Sequence, residues 1–350
     1  MGTKMDREEG KVMKKIRDIF LCAALLALFA WAPAGAQSTM ELAKKEGKVV
    51  WYSSLALPIA QELCNLFNSK NMGIECVLHR DGSGRLYSRW QQEAKAGIYT
   101  ADILHTSNIG HFVSLRKENA IIKYRPQGSD RLDPNFLEKD GYWAELRASV
   151  YIPIYNTTKV KENEAPKSWL DFFNSKWKGK LVNAHPGYSG FVSVGMSALV
   201  QKFGWEFFDR LAVQKPRIVQ SAVDTTTFVV RGEADMSVGS TGYEPFIAIQ
   251  KGEPIRFIYP EEGLPFIASA QAIFAKAPHP NAAKVLTDFL FGKEAQQVLA
   301  GKGLYVGHPD VTYPKGLVPL KDLKLMVVSP DDAVKMRKPI NDKFREKLGV

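Results

Sequence analysis

Hydroxyl side chains gather at the ends of short apolar runs in this chain. Ser53-Ser54 follows Val49-Val50-Trp51-Tyr52, and Thr106-Ser107 follows Ala101-Asp102-Ile103-Leu104. Tyr188-Ser189 comes a few residues after Gly179-Lys180-Leu181-Val182, and Ser240-Thr241-Gly242-Tyr243 follows Ala234–Val238. In open parallel sheets a ligand sits outside the carboxyl ends of the strands, so hydroxyls placed there can hold a small molecule. Ser83-Gly84 and Ser189-Gly190 stand where helices should begin. A helix N-terminus offers unpaired N–H groups and a partial positive charge, which suits an anion. Arg80 and Arg85 flank the first of these, and an arginine fork pairs with carboxylate, phosphate or sulfonate. Asp224 and Thr225, at the start of the helical turn Asp224–Arg231, complete the candidate set. Tyr188 and Tyr243 can stack on a ligand or simply close a cleft. Helix capping accounts for such serines and threonines equally well, and solvated surface accounts for Arg80 and Arg85.

Bond-making chemistry finds less support. Gly187-Tyr188-Ser189-Gly190-Phe191 resembles a nucleophile elbow but lacks the second glycine in register. His79, His105, His111, His185, His279 and His308 show no metal-ligand spacing, and His105 and His111 do not share a helix face. Gly82-Ser83-Gly84 is too short for a dinucleotide or phosphate loop. The reading is a binding protein, with no enzyme activity and no cofactor.

The elements that must position these residues alternate. Val49–Tyr52 reads as a buried strand, and Pro58 opens a helix with Ile59, Leu63, Leu66 and Phe67 on one face. Asn71-Met72-Gly73 breaks that helix before a second strand at Ile74–Leu78, making a β-α-β unit. The pattern repeats through a helix carrying Leu86, Trp90 and Ala94, the strand at 101–104 and a helix near Ile109–Glu118. The run Ser149–Tyr155 reads as an extended segment crossing between two lobes. Beyond it lie a strand at 179–182, a helix at 191–203, strands at 234–238, 255–259 and 269–274, and a helix at Asn281–Phe291.

The first 36 residues read as a secretory signal: basic Lys11, Lys14, Lys15 and Arg17, an apolar stretch from Ile19 to about Trp31, and Ala34-Gly35-Ala36 before Gln37. The apolar stretch is short of the roughly 20 residues of a spanning helix. The charged Asp6-Arg7-Glu8-Glu9 is atypical of a signal, which leaves Met5 and Met13 open as starts. The chain carries a net charge of +10 without a Lys/Arg-rich run. Diffuse positive charge fits an anionic ligand better than nucleic acid, and it fits plain solubility as well. Cys64 and Cys76, twelve residues apart, are allowed a disulfide in an oxidising compartment, or remain two buried thiols.

A set of short strings occurs in the order of a known family: Ile154-Tyr155-Asn156-Thr157, Ala165-Pro166-Lys167-Ser168-Trp169, Trp177-Lys178-Gly179-Lys180-Leu181, Gly232-Glu233-Ala234-Asp235, Gly252-Glu253-Pro254-Ile255 and Tyr259-Pro260-Glu261-Glu262-Gly263. The chain thereby resembles the extracellular solute-binding proteins of ABC importers, of the ferric-iron type. The resemblance implies the type II periplasmic binding fold, an α/β architecture of two hinged lobes with the ligand in the cleft between them. The lobes are expected at 37–145 plus 266–300 and at 146–265, with 301–350 packing on them. It also implies a periplasmic location, a monomer, and delivery of the ligand to an ABC permease in the inner membrane. Ferric-binding members use two adjacent tyrosines, a histidine and a carboxylate. The matching positions here read Gly242-Tyr243, Ser54-Leu55-Ala56 and His105-Thr106-Ser107. One phenol is a poor trap for a trivalent ion. The expected ligand is therefore a small organic anion: a carboxylate, phosphonate or sugar phosphate. A ferric iron carrier, with Tyr243 as a ligand, and a ligand-presenting sensor subunit are the alternatives.

Overall fold

The computed structural model describes residues 38–349; the expected export segment lies outside them. The chain enters through α1 (Thr39–Glu46), where Ser38 and Glu41 form a reciprocal capping box and Gly47, at φ 73°, ends the helix. Strands β1 (Lys48–Ser53), β2 (Glu75–Arg80) and β3 (Ile103–Thr106) alternate with α2 (Leu57–Asn68) and α3 (Ser83–Lys95), and α4 (Ile109–Lys117) follows. In α2 the helical spacing buries Ile59, Ala60, Leu63, Cys64 and Phe67. A disulfide joins Cys64 of α2 to Cys76 of β2. Closing a loop of this length removes denatured-chain entropy worth about 3 kcal/mol.

The long strand β4 (Ala144–Asn156) is buried throughout. Then come β5 (Leu181–Ala184), α5 (Gly190–Phe203), α6 (Glu206–Val213), β6 (Arg217–Val219), α7 (Ala222–Val230), β7 (Met236–Thr241), α8 (Tyr243–Gln250) and β8 (Ile255–Phe257). The chain returns through β9 (Leu264–Ile273) to α9 (Pro280–Phe291), α10 (Lys293–Gly301), β10 (Leu325–Val327) and α11 (Pro330–Leu348).

The strands run in the order β2-β1-β3-β9-β4-β7-β5-β6, with β10 on β9 and β8 on β4. The β-α-β portions are parallel, as expected: β1 with β2 and β3, and β5 with β6 and β7. Strand β4 runs antiparallel to β7, β8 and β9, and β9 runs antiparallel to β3 and β4 but parallel to β10. From Ala144 to Val150, β4 pairs with β9; from Tyr151 to Tyr155 it pairs with β7. One strand thus serves two halves of the sheet. The apolar cores follow that division. Trp51, Leu63, Phe67 and Leu286 belong to one, and Tyr151, Trp169, Phe172 and Phe208 to another.

Elements α6, β6, α8, β10 and α11 lie where the residue pattern carries no periodic signal. Helix α11 is strongly charged and contains Pro339, yet buries Ala333, Ile340 and Phe344. It packs on α4, α5 and α6, where Phe344 meets Phe208 edge-on and Lys347 pairs with Asp209 at 2.7 Å, and its Arg337 lies over the Tyr87 ring of α3. Among the described residues no helix is long and apolar enough to cross a membrane.

Candidate ligand cleft

Strand ends from both halves of the sheet border a cavity of about 280 Å³. Ten of the residues expected at a site line it: Ser54, Arg80, Ser83, Arg85, Ser107, Tyr188, Ser189, Asp224, Thr241 and Tyr243. Arg147, Gln220, Ser221, Ala222 and Phe191 line it too, with no prior signal in the sequence.

Four expected residues do not reach the cavity. Ser53 Oγ bonds His105 Nδ1 at 2.9 Å, and Thr106 Oγ1 bonds His111 Nδ1 at 3.1 Å. Thr225 Oγ1 donates to the Ala222 carbonyl, and Ser240 Oγ is shared between Thr225 and Ser237. The physical reason is strand alternation. Successive side chains point to opposite faces, so Ser54, Ser107 and Thr241 face the cavity while Ser53, Thr106 and Ser240 turn into the packed interior. On α7, Asp224 faces out and its neighbour Thr225 faces in.

Arg147 is the most deeply buried of the three arginines in the wall. It is only 3% exposed, and its Nε and Nη1 have no hydrogen-bond partner. A register irregularity in β4 lies between Glu145 and Arg147, and such bulges re-aim side chains. The guanidinium carbon sits 5.7 Å from the Tyr243 ring centroid, a cation–π distance. Ser54 Oγ, also in the wall, has no partner either. Arg80 is held by a bond from Nε to the Leu55 carbonyl (3.1 Å). Arg85 donates from Nη2 to Gln220 Oε1 (3.2 Å) and lies over the Tyr188 ring.

Four helices begin at this wall: α3 after Gly82, α5 after Ser189, α7 after Ser221 and α8 after Gly242. No side chain caps α3 or α8. Their positive ends add to the three guanidinium groups. The two acids of the wall are engaged: Asp81 Oδ1 accepts from the Gly82 N–H at 2.7 Å and pairs with Arg85 Nε at 3.5 Å, and Asp224 Oδ2 accepts from the Ser221 N–H at 3.1 Å. The cavity is electropositive and rich in donors. Burial pushes the Tyr243 phenol up to about 12, against the opposing pull of Arg147. Burial, with the Arg147 charge added, holds His105 behind the wall well below the usual imidazole range.

Glu145, close to Arg147 in sequence, faces elsewhere. Burial pushes its carboxyl from 4.5 up to about 8. Between those values the folded protein keeps a proton that the unfolded chain releases. The stability this gives is complete below about pH 4.5 and is lost as pH rises towards 8. Glu145→Gln should therefore flatten the fall in urea midpoint over that window, where one group contributes a slope of up to about 1.4 kcal/mol per pH unit. Parallel curves for the two proteins would contradict this assignment.

The family model described as "Bacterial extracellular solute-binding protein" matches residues 99–320. An Fe(3+)-binding periplasmic protein of Serratia marcescens is 25% identical over 267 residues, covering 73% of this chain and 78% of that one. Among solved structures, iron-bound HitA from Pseudomonas aeruginosa superposes with a TM-score of 0.75 at 22% identity, over 87% of this chain and 99% of that one. AfuA from Actinobacillus pleuropneumoniae, with fructose-6-phosphate bound, gives 0.78 at 20% identity over the same shares. Sheet order, cleft and matched span agree: the chain belongs to the bacterial extracellular solute-binding proteins and has the periplasmic binding fold of ABC importer components.

Proposed function

We propose that this protein captures a small organic anion, a carboxylate, phosphonate or sugar phosphate, and hands it unchanged to an inner-membrane ABC permease. In this reading residues 1–36 direct export to the periplasm and are removed. The working unit is a monomer with lobes at 37–145 plus 266–300 and at 146–265, and residues 301–350 pack on them. No nucleic acid or cofactor takes part. The observation that carries the reading is the buried guanidinium of Arg147 in the cavity wall, its Nε and Nη1 without hydrogen-bond partners, in the same wall as the unpartnered Ser54 hydroxyl. A buried charge without a partner costs several kcal/mol, and an incoming oxyanion supplies what is missing. Helix N-termini and Arg80 reinforce the same preference.

Against ferric iron stand two features. The phenol at the family's tyrosine position, Tyr243, resists ionisation, and a fixed cation lies against its ring.

A thermal-shift screen tests the reading, since a ligand specific to the folded state raises the melting temperature. Carboxylates, phosphonates and sugar phosphates should include at least one that stabilises at micromolar concentration, and ferric citrate should not. Stabilisation by ferric citrate alone, with a visible phenolate band lost in Tyr243→Phe, would reverse the choice.

A further inference from the structure

Across the mouth of the cavity the start of α3 touches the turn before α5, and glycines make the contact. A Cβ on Gly82 would lie 2.5 Å from the Tyr188 carbonyl oxygen, and one on Gly84 3.0 Å from that of Gly187. A Cβ on Gly190 would lie 2.7 Å from Asn108 Cβ and 2.9 Å from Ser83 Cβ. The backbone does not demand glycine at either end of this contact. Gly82 has φ −64° and ψ 147°, open to any residue, and Gly190 is the first residue of a helix, where alanine is the better former. Helix α3 belongs to the β1–β3 portion of the sheet and α5 to the β5–β7 portion. The close approach is thus specific to the state in which the two flanks meet.

We infer that Gly82 and Gly190 form a latch: backbone-to-backbone seating of the α3 start on the 187–190 turn holds the cleft shut and sets how long a ligand stays. The inference rests on reading the cavity as a ligand cleft. The neighbouring Arg85–Gln220 bond and the Arg85–Tyr188 stack span the same gap, so separating the backbones also breaks these contacts. An added methyl group at Gly82 meets a carbonyl oxygen that cannot retreat without moving the whole turn. With the flanks apart the same methyl meets nothing. Gly82 and Gly190 are therefore positioning residues, acting on the ligand through closure.

The test uses Gly82→Ala and Gly190→Ala in the full mature chain, with glucose 6-phosphate as the probe. Each variant should release the probe at least tenfold faster in stopped flow and show a larger radius of gyration by small-angle scattering, with or without probe. The melting temperature of the ligand-free protein should be unchanged or higher. Unchanged release and scattering would overturn the latch. So would a large fall in ligand-free melting temperature, which a merely structural glycine predicts. If the wild-type protein does not bind glucose 6-phosphate, the sugar-phosphate arm of the proposed function fails, and the scattering of the ligand-free variants still decides the latch.

Discussion

Arg147→Met should weaken ligand capture sharply while leaving the ligand-free protein as stable as the wild type, or more stable. The two halves of that expectation come from one observation. The guanidinium is buried with Nε and Nη1 unpartnered, so it contributes little to the fold and leaves a charge uncompensated. Replacing such a group by an apolar side chain of similar length removes a desolvation cost. With ligand present the balance reverses. Truncating one partner of a buried charge pair costs about 2–5 kcal/mol, a loss of affinity of at least about 30-fold. Titration calorimetry and thermal melts on the same preparations measure both. Lysine should rescue only part of the affinity, because a point charge does not reproduce the two-pronged contact. A variant that binds normally, or one whose ligand-free form loses several kcal/mol, would show that Arg147 is structural.

The second large effect concerns the floor of the fold. Gly239→Ala should destabilise the protein by about 3 kcal/mol or more, at the upper end for an overpacked core. A Cβ on Gly239 would lie 1.9 Å from the Tyr151 ring, and one on Gly195 2.8 Å from it. Tyr151 is fully buried, stacks with Trp169 and donates to Asn183 Oδ1 at 2.6 Å, so the ring has no free direction in which to move. It lies at the point where β4 changes partners from β9 to β7. In a double-mutant cycle, Gly239→Ala should add little to Tyr151→Ala, because the clash disappears with the ring. Additive losses in denaturant melts would place the cause elsewhere.

Much of the architecture was legible because the relevant signals are local. Apolar runs ending in small polar residues gave β1, β3 and β7, and helical spacing gave α2 and α9. Helix α11 escaped because it is mostly charged, carries an internal proline, and buries only a narrow stripe. At the site, residue type was readable and facing was not. Ser53-Ser54, Thr106-Ser107 and Ser240-Thr241 each contribute one residue to the cavity. A strand buried on both faces, such as β7, carries no hydrophobic alternation to say which. Arg147 was missed for a related reason. The string Glu145-Leu146-Arg147-Ala148-Ser149 reads like a half-exposed edge, whereas β4 is covered on every side and a bulge precedes the arginine. Only the assembled sheet reveals a buried guanidinium whose Nε and Nη1 lack hydrogen-bond partners. Glycines 82, 190 and 239 were equally silent, since their neighbours are far away in sequence.

The most direct test is a crystal structure of the mature chain with the best-stabilising anion from the thermal screen. The account predicts an acidic oxygen within hydrogen-bond reach of Arg147 Nε or Nη1 and of Ser54 Oγ, in an unreacted molecule enclosed by the 82–85 and 187–190 segments. A metal ion on Tyr243, or a ligand that leaves Arg147 bare, would contradict it.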